Sequence, residues 1–392
     1  MRSTLQFAAF SRRQFLRLAL LGALGLVISP DGECFALPKI KVIELKTISR
    51  DDRVYHAWPT LTRRKNGDLL VVFSGGREGH IDPFGRVDLI VSHDQGETWS
   101  WPRTILDGDL DERDAGVIET RTGTLLVTTF TSMTYALQFS GAKGQAVLDE
   151  VAKDRWMSVH NRLKADEIKT ELGQWMIRST DGGRTWSTRY ATIVNSPHGP
   201  LQLADGRILY AGREVSGSRK RVGVVESTDD GSTWRWLADI PFANGHGYPN
   251  YHELHAVEAS SGKIVVHIRY IKEGEPEEIL QSESRDGGRT WSVPAPIGVF
   301  GFPSYLSRLG DNRLLMTYGS RIKPTGVRAR ISNDEGKTWS DELVITADGT
   351  SSDLGYPSTV QLDEKTFLTV WYERLKASRL AVLRQARWSI AN

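Results

Sequence analysis

Cysteine is almost missing from this chain: of 392 residues, only Cys34 carries a thiol. A lone thiol closes no internal disulfide and builds no thiolate zinc site, and its place near the N-terminus leaves the rest of the chain without a cysteine nucleophile. An excess of one charge is missing too, since 50 Lys and Arg stand against 48 Asp and Glu. A nucleic-acid partner generally demands a basic surplus to displace phosphate counterions, so none is expected. The apolar stretch Leu18 to Ile28 falls short of the roughly 20 residues a membrane helix needs. What is present is glycine (37), tryptophan (12) and a 39% apolar, 25% charged composition. That is the balance of a soluble globular protein with a core, and it excludes a disordered or collagen-like chain.

The N-terminus carries Ser11-Arg12-Arg13-Gln14-Phe15-Leu16, then Leu18 to Ile28, then the small-residue site Cys34-Phe35-Ala36. This order reads as a twin-arginine export signal cleaved after Ala36. The expectation is therefore a mature domain of residues 37–392, periplasmic or secreted, whose partner during export is the twin-arginine translocation machinery. Without residues 1–36 the chain keeps 46 basic and 46 acidic side chains. Its zero net charge and lack of disulfides suit a protein folded before export.

Internal repetition dominates what remains. Five segments share the pattern Ser-x-Asp-x-Gly-x-Thr-Trp, at Ser92–Trp99, Ser179–Trp186, Ser227–Trp234, Ser284–Trp291 and Ser332–Trp339. Their serines are 87, 48, 57 and 48 residues apart, close to the length of a four-stranded blade except for one long gap. A second repeat, two short apolar strands joined by a tight turn, occurs six times: Trp58–Phe73, Val117–Phe130, Leu201–Ala211, Leu254–Ile268, Tyr305–Tyr318 and Thr359–Tyr372. Six hairpins predict an all-β, six-bladed β-propeller. The strand-like segment Lys41–Ile48 is expected to complete the last blade and close the ring. The surplus in blade 2, about residues 133–172, has helical spacing at Leu148, Val151, Trp156 and Leu163 and reads as an inserted helical cap.

Antiparallel strands reverse direction at every turn, so the turn between strands three and four lies on the same face as that between one and two. Asp94, Asp181, Asp229, Asp286 and Asp334 of the five boxes are thus expected to cap turns rather than act on a substrate. The opposite face collects the ends of strand two: Arg77, Arg213, Arg269 and Arg321, with Glu373 in the sixth copy. Strand one begins on that face with His56, Asp114, His198, Glu253 and Tyr356. Arginines repeated at one position read as a funnel for an anionic substrate, because guanidinium matches carboxylate bidentately. The alternative is that the protein's own acids take them.

Five Asp-boxes with this funnel resemble the bacterial sialidase superfamily over essentially the whole mature chain. The resemblance implies three arginines on a substrate carboxylate, a tyrosine nucleophile backed by a glutamate, and an aspartate acid/base on a blade 1 loop. Tyr356 in Gly-Tyr-Pro-Ser looks like the nucleophile; Glu253 in His-Glu-Leu, followed sixteen residues later by Arg269, looks like its glutamate and the second triad arginine. Arg328 stands where the third arginine is expected, with Arg321 its competitor. Blade 1 departs from the pattern: Ala57-Trp58-Pro59 replaces Arg-Ile-Pro, so the first triad arginine is absent. Arg77 matches the arginine after the next strand, Asp82 is near the acid/base position, and His80 in the same loop could share or replace that role.

Physical chemistry asks for these residue types. A phenol with pKa near 10 attacks poorly until a carboxylate such as Glu253 takes its proton. A neutral tyrosine is also repelled less by an anionic sugar than a carboxylate nucleophile would be. The reading is a retaining exo-glycosidase for a terminal acidic sugar, sialic acid or a relative, with no cofactor. Two rivals use the same funnel: β-elimination at a uronate, with Tyr356, His198 or His252 moving the proton, and a propeller that binds glycans without turnover. His246, His252 and His255 lack the helical His-Glu-x-x-His pattern of a zinc site, so no metal is expected.

Overall fold

The computed structural model describes residues 26–28, 34–36, 39–49, 53–140, 148–215, 219–376 and 378–391. The paired arginines of the N-terminal motif lie outside them. Leu26–Ile28 pairs with Cys34–Ala36 as a small two-stranded ladder. All other strands form six antiparallel four-stranded sheets, the blades of a propeller.

Blade 1 runs Tyr55–Arg63, Leu69–Arg77, Arg86–Ser92 and Arg103–Leu106, and blade 2 Asp111–Glu119, Leu125–Ser132, Gln174–Ser179 and Tyr190–Ala191. Blades 3 to 5 repeat the meander, beginning at Leu201–Gln202, Tyr251–Glu258 and Ser304–Arg308. The second strands are covered on both faces by neighbouring blades, so they read as continuous apolar runs. All seven residues of Leu314–Ser320 in blade 5, for example, are buried. In blades 2, 4 and 5 the fourth strands shrink to pairs such as Ala295–Pro296, both exposed, and offer little edge for another chain to join.

Blade 6 is built from both ends of the chain: Leu354–Gln361, Thr366–Arg374 and Ala381–Ala391, with Lys39–Thr47 pairing alongside the last. This closure is the one the hairpin count calls for.

Each Asp-box is a locked turn. In the first, Ser92 Oγ and the Thr98 amide donate to Asp94 Oδ1 at 2.7 and 2.9 Å, and Thr98 Oγ1 donates to Oδ2 at 2.5 Å. The other four boxes repeat the pattern. Each box also fastens its blade to the preceding one. Gln385 of blade 6 accepts from the Trp99 indole and donates to the Gly96 carbonyl; Gln281 of blade 4 does the same for Trp339 and Gly336. Arg103 reaches the Gly183 carbonyl, Tyr190 the Gly231 carbonyl and Arg207 the Gly287 carbonyl. Blade 6 has no box, and its junction with blade 5 is instead a cluster in which Phe367 stacks on Trp388 at 4.6 Å beside Trp371, Leu315 and Ile331.

The blade 2 insertion contains a 3-10 turn (Thr134–Ser140) and two helices, Glu150–His160 and Ala165–Glu171. Of the four residues whose spacing suggested a buried stripe, only Trp156 is buried; Val151 is 79% exposed and Leu163 lies between the helices. The insertion packs through a small aromatic cluster instead, in which Tyr135, fully buried, meets Phe139, Trp156 and His160 edge-on, while the exposed pairs Arg155–Glu78 and Arg162–Asp109 add little.

Candidate active site at the propeller mouth

The first strands of the blades do not run straight into the mouth. Strand register slips between Ala57 and Thr60, Arg113 and Gly116, Tyr251 and Leu254, and Gly355 and Ser358. Trp58, Asp114, His198 and Tyr356 adopt left-handed backbone angles (φ of 50°, 52°, 72° and 53°). Trp58, Asp114 and Tyr356 sit inside the slips of blades 1, 2 and 6 and mark bulges that re-aim side chains towards the axis, a conformation usually kept only where the surroundings impose it. The blades touch backbone to backbone here. A Cβ on Gly116 would come within 2.4 Å of the Gly199 amide nitrogen, and one on Gly319 within 2.8 Å of the Gly355 Cα.

The centre of the site is a pair drawn from blades 4 and 6. Tyr356 Oη donates to Glu253 Oε1 at 2.8 Å, and Arg269 Nη1 lies 3.0 Å from both Glu253 oxygens. Burial, reinforced by Glu253 and Asp114, pushes the Tyr356 phenol well above its ordinary value. Burial alone would raise Glu253, but Arg269 and the Tyr356 hydroxyl hold it below the usual carboxylate range. The resting state is therefore a phenol bonded to a carboxylate, a nucleophile with its base already in place.

Around Tyr356 stands an aromatic wall: Trp58 at 6.4 Å, Tyr372 at 5.9 Å and His198 at 6.2 Å between ring centroids. Trp58 holds the axial position in blade 1 that the alignment of first strands assigned to His56. His56 is instead buried against Phe73. The shared dipeptides Trp58-Pro59 and Tyr356-Pro357 were the available sign of the true register.

The arginines divide. Arg77 is fully buried, with both terminal nitrogens on Asp111 and further bonds to the His80 and Glu112 carbonyls. Arg328 is 2% exposed and spent on Glu342 and the carbonyls of Pro324, Val327 and Thr346. Both are internal braces, and neither can clamp a substrate. Arg213 donates to His252 Nδ1 at 2.9 Å and lies over the Tyr248 ring; Arg269 serves Glu277 as well as Glu253. Arg321 uses only its Nε, on the Leu354 carbonyl at 3.1 Å, and packs on Phe302, so its terminal nitrogens are bonded to none of the described residues. It thus takes the mouth position for which Arg328 was favoured. Among the described residues, the guanidinium of Arg113, which sequence reading missed, meets Asp111 at 3.8 Å and the Trp58 face at 4.3 Å.

The remaining candidates are also sorted by their partners. Asp82 is fully buried and turned into its own loop, accepting the Phe84 amide at 2.6 Å and the Glu78 amide at 2.8 Å, while burial raises its pKa to about 6. Its oxygens hold the loop's shape, so they do not reach outward as an acid/base. His198 lies in the floor, 2% exposed and 3.3 Å from Thr60 Oγ1, and burial keeps it neutral. His252 has both ring nitrogens occupied, by Arg213 and by the Pro249 carbonyl at 2.9 Å. Asp114, beside Arg113 and Glu253, is raised to about 7 by burial against the pull of Arg113.

Two clefts open at this rim. One of about 380 Å³ lies between the loop Glu78–Asp82 and the insertion at Asp149, Ala152 and Trp156; another of about 600 Å³ runs from Arg321 past Thr325 to Ser352. A larger cleft of about 860 Å³ between the insertion and blades 1 and 2 contains none of these catalytic candidates.

This architecture has relatives of known structure. A protein of unknown function from Dyadobacter fermentans superposes with a TM-score of 0.72 at 24% identity, covering 91% of this chain and 100% of that one. The Hadza microbial sialidase Hz136 gives 0.61 at 19% identity, over 85% of this chain and 65% of its own. The NanB sialidase of Streptococcus pneumoniae gives 0.59 at 16% identity, over 91% and 70%. No curated protein matches by sequence. The BNR repeat-like domain family matches residues 69–369, and the chain accordingly belongs to that family, folded as a six-bladed propeller of the kind these sialidases share.

Proposed function

We propose that this protein is a retaining exo-glycosidase acting on a terminal acidic sugar, sialic acid or a close relative. The observation that carries the reading is the 2.8 Å bond from Tyr356 Oη to Glu253, held by Arg269 at the floor of an arginine-bearing mouth. Glu253 takes the phenolic proton as Tyr356 Oη bonds to the anomeric carbon, and the glycosidic oxygen departs with a proton from an acid at the rim. Water then attacks the same carbon, giving a proton back to the rim group, while the tyrosyl bond breaks and Glu253 returns its proton to Tyr356 Oη. Arg321 and Arg113, the least committed cations near the tyrosine, receive the substrate's carboxylate. Elimination at a uronate has less support, because His198 is buried and His252 has no free nitrogen, which leaves Tyr356 alone of its three candidates to move the proton. An exported, periplasmic or secreted setting belongs to the same proposal and rests on residues 1–36.

The test is a panel of sialosides, glucuronides and galacturonides offered to wild type and Tyr356→Phe. Wild type is expected to release one acidic sugar with retained configuration, and the variant to lose roughly two to four orders of magnitude in kcat/KM. Equal rates in the two proteins, or no sugar released from any substrate, would end the reading.

A further inference from the structure

The proposed chemistry needs a proton donor at the rim, and Asp82 cannot supply it with both oxygens turned into its own loop. The same turn that buries Asp82 lifts His80 outward. His80 Nδ1 lies 3.0 Å from Asp353 Oδ1, contributed by blade 6, and 3.0 Å from Tyr55 Oη. The single hydroxyl proton of Tyr55 goes to the Asp353 carboxylate, 2.9 Å from each oxygen. A carboxylate only accepts, so the proton in the His80–Asp353 bond belongs to Nδ1. Nε2 is then the working nitrogen, and it is bonded to no described residue.

The ring is fixed as well as oriented. Trp58 meets it edge-on at 5.1 Å and Tyr55 at 6.1 Å, and the side chain is still 44% exposed, on the cleft of about 380 Å³. Trp58 stands between this imidazole and Tyr356. Asp114 couples to Tyr356 and Glu253, on the nucleophile's side. Asp353 is built to remain charged: burial opposes ionisation, but His80, Tyr55 and Tyr372 bond it and hold it below the usual range. A carboxylate that orients an imidazole and stabilises its cation is the arrangement general acid–base catalysis uses.

We propose that His80 is the acid/base of this site and Asp353 its positioning residue, an inference that rests on the glycosidase reading above. In the first step the imidazolium gives its Nε2 proton to the glycosidic oxygen as that oxygen's bond to the anomeric carbon breaks and the bond to Tyr356 Oη forms. In the second, neutral Nε2 takes a proton from the water that displaces Tyr356, which restores the imidazolium.

The experiment compares aryl and alkyl glycosides of the sugar that wild type cleaves. A nitrophenolate leaves without protonation, so His80→Ala is expected to keep kcat/KM on the aryl glycoside, which reports the first step alone, within about tenfold while losing roughly 10²–10⁴-fold in kcat/KM on the alkyl glycoside. Asp353→Asn is expected to fall between the two proteins. It should also move the imidazole nitrogen resonances of His80 in the unliganded protein, a readout that needs no turnover. Equal losses on both substrates, or none, would overturn the assignment while leaving the glycosidase reading intact, and so would an unchanged His80 spectrum in Asp353→Asn. If wild type cleaved neither substrate, both would fall.

Discussion

Asp114 shows how one side chain at the mouth ties chemistry to pH. In the folded chain it stays protonated up to about pH 7, whereas in the unfolded chain it ionises near 3.8. Between these values the folded state holds one proton more, so stability falls as pH rises across that window. Asp114→Asn removes the penalty. Thermal unfolding is expected to show no difference near pH 4 and a gain at pH 8, worth at most about 4 kcal/mol from the width of the shift. The substitution should also slow the decline of kcat/KM above pH 7, where a second negative charge would face an anionic sugar. A variant no more stable than wild type at pH 8 would contradict the burial assigned to this carboxyl.

At the same scale, some of the site was legible from spacing and some was not. Glu253, Arg269 and Tyr356 stand at repeat positions whose strands meet at the axis, so counting along the hairpins was enough to bring them together. Trp58 was missed because a bulge moves the axial residue of blade 1 two places beyond the expected one, and period-two reasoning has no way to see an inserted residue. Arg77 and Arg328 have the right residue type, but Asp111 and Glu342, far off in sequence, already hold them. Repeat position says where a charge lies and nothing about which acid reaches it first.

Among elements, the Asp-box turn was the most readable, since its side-chain bonds fall within a few residues. What local pattern did not convey is that each box also grips the preceding blade. The box carboxylates are held low by hydrogen bonds, first of all from the Thr hydroxyl, with Asp94 and Asp286 at about 2. A depressed carboxylate contributes stability that is present above its unfolded value near 3.8 and lost as pH falls towards 2. Asp286→Ala is expected to cost about 1 kcal/mol at pH 7 with kcat/KM unchanged, and the difference from wild type should shrink towards pH 2. A loss of activity with unchanged melting would mean that the box acts on substrate after all. The helical insertion was less legible than the strands because Trp156 packs on Tyr135 of the preceding 3-10 turn, a contact that helical spacing within the insertion does not convey.

For the whole molecule, the six-blade count followed from repetition alone, and the junction between blades 5 and 6 explains why five boxes suffice: stacked Phe367 and Trp388 replace the missing one. Removing residues 381–391 would delete the third strand of blade 6 and leave Lys39–Thr47 unpaired. The shortened chain is expected to lose cooperative unfolding in calorimetry. On the proposed export route it should also stay in the cell, as should full-length protein carrying Arg12→Lys and Arg13→Lys, which is expected to fold normally. Cooperative melting of the shortened chain would show that blade 6 is dispensable.

The joining of Lys39–Thr47 to Ala381–Ala391 also sets an order in time. During synthesis Lys39–Thr47 emerges long before its partner exists, and the nascent protein can be no more than an open arc until residues 381–391 leave the ribosome. Pairings between such distant parts of a chain form slowly. A route that moved this polypeptide as it was being made would carry it away from the half of the last blade that makes it a circle.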